Sequence, residues 1–292
     1  MALYDSSGNL LNAAYDKDGT LLHVAYDVDG NIASGQLAPD FTNYTISNLF
    51  NYPQTKMQGF AVYDGKIAQV REDYSLHIID IATGTKLREV TMDMGHGNSC
   101  QFSDVFYDAE DDFPLFYIRN DGVWVYRIVD TSSTLIRKYS FPLEDIYTYV
   151  AGFGIDDENK LFYTASYTEG NYETKTGLLC ICKWDMDDVT DNGDGTYSMA
   201  LLDTNSFTWF DRYEAVQGCC YHDGYFFIDS GYTGTTSQDI VLIDPETLSI
   251  AYTVTLGRGN ETEGCAWISD DSMIVGQKNN TYTYRKIQFA MV

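Results

Sequence analysis

Short apolar runs separated by turn signals fill most of the chain. Residues 213–256 contain four such runs, and similar stretches recur at 56–92, 98–142, 151–210 and 263–292. Each copy holds about four runs of strand length, except the last, which holds three. Four-stranded sheets repeated along a chain are typical of a radial array, so five copies predict a five-bladed β-propeller.

The last copy lacks a fourth strand, and an earlier segment can supply it. Residues 43–50, "NYTISNLF", have a strand pattern and precede the first full copy. A ring closed with strands from both ends of the chain leaves fewer exposed sheet edges. A two-sheet sandwich would not explain repeats of about 45 residues. The sequence therefore predicts an all-β, five-bladed propeller of four-stranded blades over residues 40–292.

The first 35 residues have a different and shorter repeat. Three copies follow one another with a period of 11, "YDSSGNLLNAA", "YDKDGTLLHVA" and "YDVDGNIASG". Gly8, Gly19 and Gly30 can adopt the positive φ of a hairpin turn. Such short hairpins cannot bury a core alone, so they must stack on each other, on copies from other chains or on a partner. We expect residues 1–35 to form a separate attachment or oligomerisation module of a homo-oligomer.

Composition and charge limit which classes of partner the protein can bind. The chain has 292 residues, 44% of them hydrophobic, and a formal net charge of -25. This charge repels phosphate backbones, so we expect no nucleic-acid partner. No apolar run approaches the length of a membrane span, and the first residues lack the features of a signal peptide. We expect synthesis in a reducing cytoplasm with six buried, unpaired cysteines: Cys100, Cys180, Cys182, Cys219, Cys220 and Cys265.

Two parts of the chain resemble known families. The words "VQGCCYHDGYFFIDSG", "IVLIDPETLSIAYTVTL" and "TEGCAWISDDSMIVGQ" resemble five-bladed propellers of the glutamine cyclotransferase type. The "YDxxGN" copies resemble the N-terminal repeats of tail-associated proteins from phages of gut bacteria. The first resemblance implies the fold more than an activity. The second implies a virion protein.

The repeat register places one set of polar residues around the channel. The innermost strand of each blade begins near the channel, which brings together Gln58, His96, Asn98, Gln217 and Glu263. These residues are candidates for binding a small molecule or a sugar, and Glu263 is the carboxylate among them. The alternative is that they cap strand ends and hold water. His96 lies in a Gly-flanked loop, where it is either a catalytic base or a hydrogen-bonding group.

Aromatic residues near predicted loops form a second candidate site. Tyr167, Tyr172 and Tyr232 are expected to expose rings that stack on sugar faces, with burial in the core as the alternative.

An Asp-rich segment is a candidate for Ca²⁺. Its carboxylates are those of Asp185, Asp187, Asp188, Asp191 and Asp194. Their spacing does not match an EF-hand, and "NGDG" favours a turn in a long β-hairpin instead. We predict no other cofactor.

These observations favour one function over two alternatives. The leading hypothesis is a virion or surface propeller that binds a host glycan or surface protein without turnover and attaches to other virion proteins through residues 1–35. The first alternative is an enzyme of glutamine cyclotransferase or carbohydrate-active type that uses Glu263. The second is a purely structural virion subunit.

Overall fold

The structure is a computed structural model. It describes residues 38–93, 97–141, 149–167, 177–213, 215–231, 237–258, 261–278 and 281–292, together with the backbone of 3–4, 10–11, 14–15 and 21–22. Every element in these ranges is a β-strand. A search of the same residues finds no helix long and apolar enough to span a membrane.

The N-terminal repeats contain two short antiparallel pairs. β1 (Leu3–Tyr4) pairs with β2 (Leu10–Leu11), and β3 (Ala14–Tyr15) pairs with β4 (Leu21–Leu22). The predicted hairpins are therefore confirmed for the first two copies. The third copy lies outside the described residues, and the attachment role of residues 1–35 stays a prediction.

The described residues from 38 onward form five antiparallel blades of four strands each. β5 (Pro39–Tyr52) is the first strand of the propeller along the chain but belongs to the last blade. Blade 1 contains β6 (Met57–Tyr63), β7 (Lys66–Arg71), β8 (Ser75–Asp80) and β9 (Lys86–Thr91). Blade 2 contains β10 (Cys100–Phe102), β11 (Phe116–Arg119), β12 (Val123–Val129) and β13 (Ser132–Tyr139). Blade 3 contains β14 (Tyr149–Asp156), β15 (Leu161–Tyr167), β16 (Leu178–Asp191) and β17 (Tyr197–Thr208).

The last two blades complete the ring. Blade 4 contains β18 (Val216–His222), β19 (Tyr225–Ser230), β20 (Ser237–Asp244) and β21 (Ser249–Arg258). Blade 5 contains β22 (Thr262–Ser269), β23 (Ser272–Lys278) and β24 (Tyr282–Met291), with β5 as its outer strand. The predicted all-β, five-bladed architecture is confirmed.

Local sequence explains the hairpins at the start of the blades. Asp64-Gly65 joins β6 to β7, and Asp223-Gly224 joins β18 to β19. All four residues have positive φ, between 44° and 79°. Two-residue turns of this kind match the twist of the strands they connect, and Asp-Gly tolerates the backbone conformation they need.

The apolar core of the described residues is divided among the junctions between blades. Five clusters of buried side chains fill the spaces between neighbouring blades, including the junction of blade 5 with blade 1. At that junction, Ile274 and Tyr284 of blade 5 pack with Phe60 and Ile67 of blade 1. All six cysteines are buried, as predicted, and none of them forms a disulfide. Each blade therefore depends on both of its neighbours for burial.

The ring closes through pairing between the two ends of the propeller. β5 pairs with β24 from Pro39↔Met291 to Tyr52↔Tyr282, which confirms the predicted closure and extends it beyond residues 43–50. Phe41 of β5 is 8% exposed and contacts aromatic rings of both blade 4 and blade 5. Its ring centroid lies 5.2 Å from Tyr225 and 5.4 Å from Phe289. The closing strand is thus fixed by side-chain packing as well as by backbone hydrogen bonds.

Phe41→Ala should destabilise the closed ring. Truncation of a buried Phe leaves a cavity and costs about 3–5 kcal/mol, and here the cavity opens between the closing strand and two blades. Urea unfolding measures the loss, and Thr45→Ala on the exposed face of the same strand is the control, expected to stay within about 0.5 kcal/mol. Equal stability of the two variants would contradict the packing role of Phe41.

Candidate functional site

The innermost strands of the five blades surround the propeller axis. β6, β10, β14, β18 and β22 each contact the next around a closed ring. A β-bulge recurs near the start of four of these strands, between Met57 and Phe60, Val150 and Gly152, Val216 and Gly218, and Thr262 and Cys265. Bulges redirect side chains and are over-represented next to active sites. The bulges coincide with the Gln-Gly, Ala-Gly and Glu-Gly dipeptides of the repeats.

The glycines of these words allow the backbones to touch at the axis. A Cβ on Gly59 would lie 2.3 Å from the carbonyl oxygen of Asn98, and one on Gly218 would lie 2.6 Å from the Cα of Gly264. The Gly59 amide donates a hydrogen bond to the Gly97 carbonyl at 2.9 Å. Glycine is needed here because any side chain would collide with a neighbouring backbone. The packed glycines lie between the two ends of the inner strands.

Three of the predicted channel residues lie just before these glycines. Gln58, Gln217 and Glu263 are buried at the second position of their strands. Asn98 precedes β10, and its Nδ2 donates to Gln217 Oε1 at 2.8 Å. Gln217 Nε2 in turn donates to Glu261 Oε1 at 3.1 Å. The register therefore places these residues at one mouth, while His96 lies outside the described residues.

A second group of contacts extends the same mouth. Gln58 Nε2 donates to Glu72 Oε1 at 2.9 Å. The Lys278 ammonium lies 3.0 Å from Glu263 Oε1 and 3.7 Å from Glu72 Oε1. We call the set Gln58, Glu72, Asn98, Gln217, Glu261, Glu263 and Lys278 the Glu263 site.

Sequence reasoning missed Glu72, Glu261 and Lys278, although the repeat contained a signal for two of them. The Glu72 amide donates to the Lys56 carbonyl at 3.0 Å, and the Lys278 amide donates to the Glu261 carbonyl at 2.7 Å. Glu72 and Lys278 thus occupy equivalent places, directly beside the starts of β6 and β22. Aligning the copies to the end of their second strand would have revealed two opposite charges at the channel mouth.

Burial dominates the electrostatics of Glu263. The side chain is 1% exposed. The pKa of its carboxyl is raised to about 8, chiefly because burial penalises the charged form, while Lys278 opposes the shift and Glu261 adds to it. Burial lowers the pKa of Lys278, but the charges of the three glutamates outweigh burial, so the net shift is upward. Glu263 is therefore a carboxyl with a pKa of about 8 beside a charged ammonium.

A second carboxyl lies directly behind the site. Asp229 of β19 is fully buried, and its Oδ2 accepts a hydrogen bond from the Gly264 amide at 2.9 Å. Burial raises the pKa of Asp229 to about 7, against the opposing effect of Thr262 and the Gly264 amide. The negative charge of Asp229 in turn raises the pKa of Glu263.

Three buried oxygens of the site have no hydrogen-bond partner among the described residues. Gln58 Oε1 and Asn98 Oδ1 are acceptors, and Glu263 Oε2 is an acceptor when the carboxyl is ionised and a donor when it is protonated. The side-chain amides of Gln58 and Gln217 must turn their nitrogens toward the carboxylates of Glu72 and Glu261, because a carboxylate accepts hydrogen bonds and cannot donate them. A buried acceptor without a partner costs about 1–3 kcal/mol. The arrangement therefore suits a ligand that brings N–H donors, such as an amine or an amide.

The expected exposed ring at Tyr167 is wrong. Tyr167 ends β15 and is 2% exposed. Its hydroxyl accepts a hydrogen bond from the Val216 amide at 2.7 Å, and its ring stacks on Phe210 at 5.3 Å. Alternation along the strand directs this ring into the junction between blades 3 and 4. Tyr172 and Tyr232 lie outside the described residues, so their role as ligand-binding rings stays a prediction.

The Asp-rich segment lies on a long hairpin of β16 and β17, as the turn interpretation predicts. Asp191 Oδ1 accepts from the Gly193 amide at 2.8 Å, and Asp194 Oδ1 accepts from the Thr196 amide at 2.9 Å. These two carboxylates therefore stabilise the turn. In the described part of the chain, no three His, Cys, Asp or Glu side chains form a group able to hold a metal ion. Ca²⁺ binding was the alternative to the predicted turn, and it stays untested.

Comparison with known proteins identifies a similar fold but no family. No family model and no curated protein matches the chain. Among solved structures, the crystal structure of Myxococcus xanthus glutaminyl cyclase matches with a TM-score of 0.53 and 10% sequence identity. The match covers 85% of this chain and 98% of that one. At this identity the likeness shows a shared fold alone.

Glu263→Gln should weaken the pH dependence of stability. The folded-state pKa of about 8 exceeds the usual 4.5, so the folded chain retains a proton that the unfolded chain releases. The resulting stabilisation is fully present below about pH 4.5 and is lost as the pH rises through about 8. Between about pH 5 and 9 the wild-type Tm should fall by on the order of 5 °C more than that of the variant.

Thermal melts at several pH values measure this difference. Asp188→Asn, an exposed carboxylate on β16, removes the same charge and should parallel the wild type. Parallel curves for Glu263→Gln and the wild type would contradict a raised pKa at Glu263.

Proposed function

We propose that the protein is an enzyme that transfers a proton during acyl transfer at the Glu263 site, on a small substrate or chain end that carries an amine and an amide. One observation carries the proposal. Glu263 is a buried carboxyl with a pKa of about 8, an oxygen without a partner among the described residues and an ammonium 3.0 Å from its other oxygen. General acid–base groups work best when their pKa lies near the operating pH.

The reaction that best fits these groups is cyclisation of an N-terminal glutamine. The α-amine nitrogen attacks the side-chain amide carbon, a C–N bond forms, and the original amide nitrogen leaves as ammonia. One proton must move from the attacking nitrogen to the leaving nitrogen. Glu263 accepts this proton and then donates it, which requires a group that titrates near neutral pH.

The other residues of the site would orient the substrate and stabilise charge. Gln58 Oε1 and Asn98 Oδ1 would accept hydrogen bonds from the substrate N–H groups, because both are buried and have no partner among the described residues. The Lys278 ammonium would stabilise the negative charge that develops on the amide oxygen. The matched structure is named glutaminyl cyclase, which is a reason to test this reaction first. At 10% sequence identity the match itself shows only a shared fold.

Wild-type protein should release ammonia from a dipeptide with N-terminal glutamine, and Glu263→Gln should reduce kcat/KM by at least about 100-fold. Lys278→Met should reduce kcat, because the ammonium acts on charge that develops in the transition state. Asp188→Asn is the matched control and should retain full activity. The proposal fails if the wild type shows no turnover, or if Glu263→Gln retains it.

A second candidate function is binding of a host glycan or surface protein by a virion propeller. The paired strands β1–β2 and β3–β4 favour it, because hairpins this short need a partner surface. In this case residues 1–35 attach the propeller to other virion proteins or to copies of the chain. Cell and glycan binding that survives Glu263→Gln, together with no cyclase turnover, would favour this candidate. Cell binding that is equal with and without residues 1–35, with both forms monomeric by light scattering, would count against the attachment role.

A further inference from the structure

A cavity of about 350 Å³ lies at the opposite end of the axis from the Glu263 site. It is lined by the last parts of the five inner strands and by the turns that follow them. The packed glycines separate these residues from Gln58, Gln217 and Glu263. A volume of this size is within the range of small-ligand pockets. We call it the Asp157 cavity.

The floor of the Asp157 cavity is held rigidly. Gln101 of β10 accepts hydrogen bonds from the Ile155 amide at 3.0 Å and from the Tyr221 amide at 3.2 Å. Its Nε2 donates to the Ile155 carbonyl at 3.0 Å. One side chain therefore ties together the inner strands of blades 2, 3 and 4. A fixed floor lowers the entropy cost of binding, because fewer groups must be ordered.

The walls carry excess negative charge. Asp104, Asp156, Asp157, Glu158 and Asp223 line the cavity, and the lining residues, all in the described part of the chain, include no Lys or Arg. Asp156 is 4% exposed and already accepts hydrogen bonds from the amide and the side chain of Asn159. Its neighbour Asp157 has a side-chain oxygen that can still accept a hydrogen bond.

Two buried atoms of the cavity wall, one acceptor and one donor, have no hydrogen-bond partner among the described residues. Asp157 Oδ2 accepts from the Asp104 amide at 2.6 Å, but Asp157 Oδ1 is buried and has no partner among the described residues. The indole nitrogen of Trp267 is also buried and has no partner there. Burial, with the charges of Asp104 and Asp156, raises the pKa of Asp157 against the effect of the Asp104 amide and Lys160. The cavity wall thus offers one unused acceptor and one unused donor.

Aromatic surface completes the cavity. The Trp267 ring stacks on His222 with centroids 4.3 Å apart, and burial lowers the pKa of His222, which favours its neutral form. Tyr221 stacks on Tyr163 at 5.3 Å and also lines the cavity. The Trp267 ring also stacks on Phe289, with centroids 5.4 Å apart, so these rings fix one another's positions in the wall of the cavity.

We infer that the Asp157 cavity binds a small hydroxylated primary amine, such as an amino sugar. The ammonium provides N–H donors to Asp157 Oδ1 and offsets the charge of the surrounding carboxylates. A hydroxyl oxygen accepts the hydrogen bond from the Trp267 indole. This site is separate from the proposed catalytic site and does not depend on its activity.

Isothermal titration calorimetry with three six-membered-ring probes tests the inference on the full chain. Glucosamine carries both the charge and the hydroxyls, glucose lacks the charge, and cyclohexylamine lacks the hydroxyls. Glucosamine should bind with one-to-one stoichiometry and at least tenfold more tightly than either of the others. Absence of saturable glucosamine binding would overturn the inference, and so would equal affinity for glucosamine and either control compound.

Substitutions then locate the binding site. Asp157→Asn should weaken glucosamine binding at least tenfold, and Trp267→Phe, which keeps a smaller aromatic ring but removes the N–H, should weaken it about threefold. Asp188→Asn and Glu263→Gln should leave it unchanged. Unchanged affinity in Asp157→Asn, or loss in Glu263→Gln, would overturn the assignment. The probe comparison on the wild type decides the question even if Asp157→Asn does not fold.

Discussion

The close approach of the inner strands at the axis is the constraint on which the rest of the structure depends. Gly59, Gly218 and Gly264 meet around the carbonyl oxygen of Asn98. A Cβ on Gly59 or Gly218 would collide with neighbouring backbone, and Gly264 has a φ of +116°, which side chains rarely permit. Ser99 strengthens this contact, because its hydroxyl accepts hydrogen bonds from the amides of Phe153 and Cys219, each at 3.2 Å. Backbone contact in the centre allows five apolar junctions to close around the axis.

The same constraint places chemistry at the two ends of the channel. The residue before each of the three glycines is polar and buried, so Gln58, Gln217 and Glu263 form a site that depends on the packing behind them. Their polar groups are satisfied only in part, since Gln58 Oε1 and Glu263 Oε2 have no partner among the described residues. At the far end, an unused acceptor and an unused donor line a cavity with aromatic walls. The two ends therefore differ in the chemistry they can recognise.

Much of the fold could be predicted from the sequence because the repeats contain both turn and strand signals. Asp-Gly turns and Gln-Gly or Glu-Gly words recur in register, which was enough for the blade number and for the closing strand. Tyr167 was placed wrongly because composition cannot distinguish a ring at a strand end from one in a loop. Glu72 and Lys278 were missed because only strand starts were aligned. The Asp157 cavity was not predicted, since its walls come from turns in different blades.

The measurement that tests this account most directly is the free energy of unfolding of Gly218→Ala. Gly218 does not have a positive φ, so the substitution adds no backbone strain and tests space alone. A Cβ there would lie 2.6 Å from Gly264 Cα and 2.9 Å from the Asn98 carbonyl oxygen, and backbone atoms cannot move aside as a flexible side chain would. We predict a loss of about 3 kcal/mol in urea unfolding. A variant within about 0.5 kcal/mol of the wild type would contradict the claim that backbone contact at the axis holds the propeller and its two mouths in place.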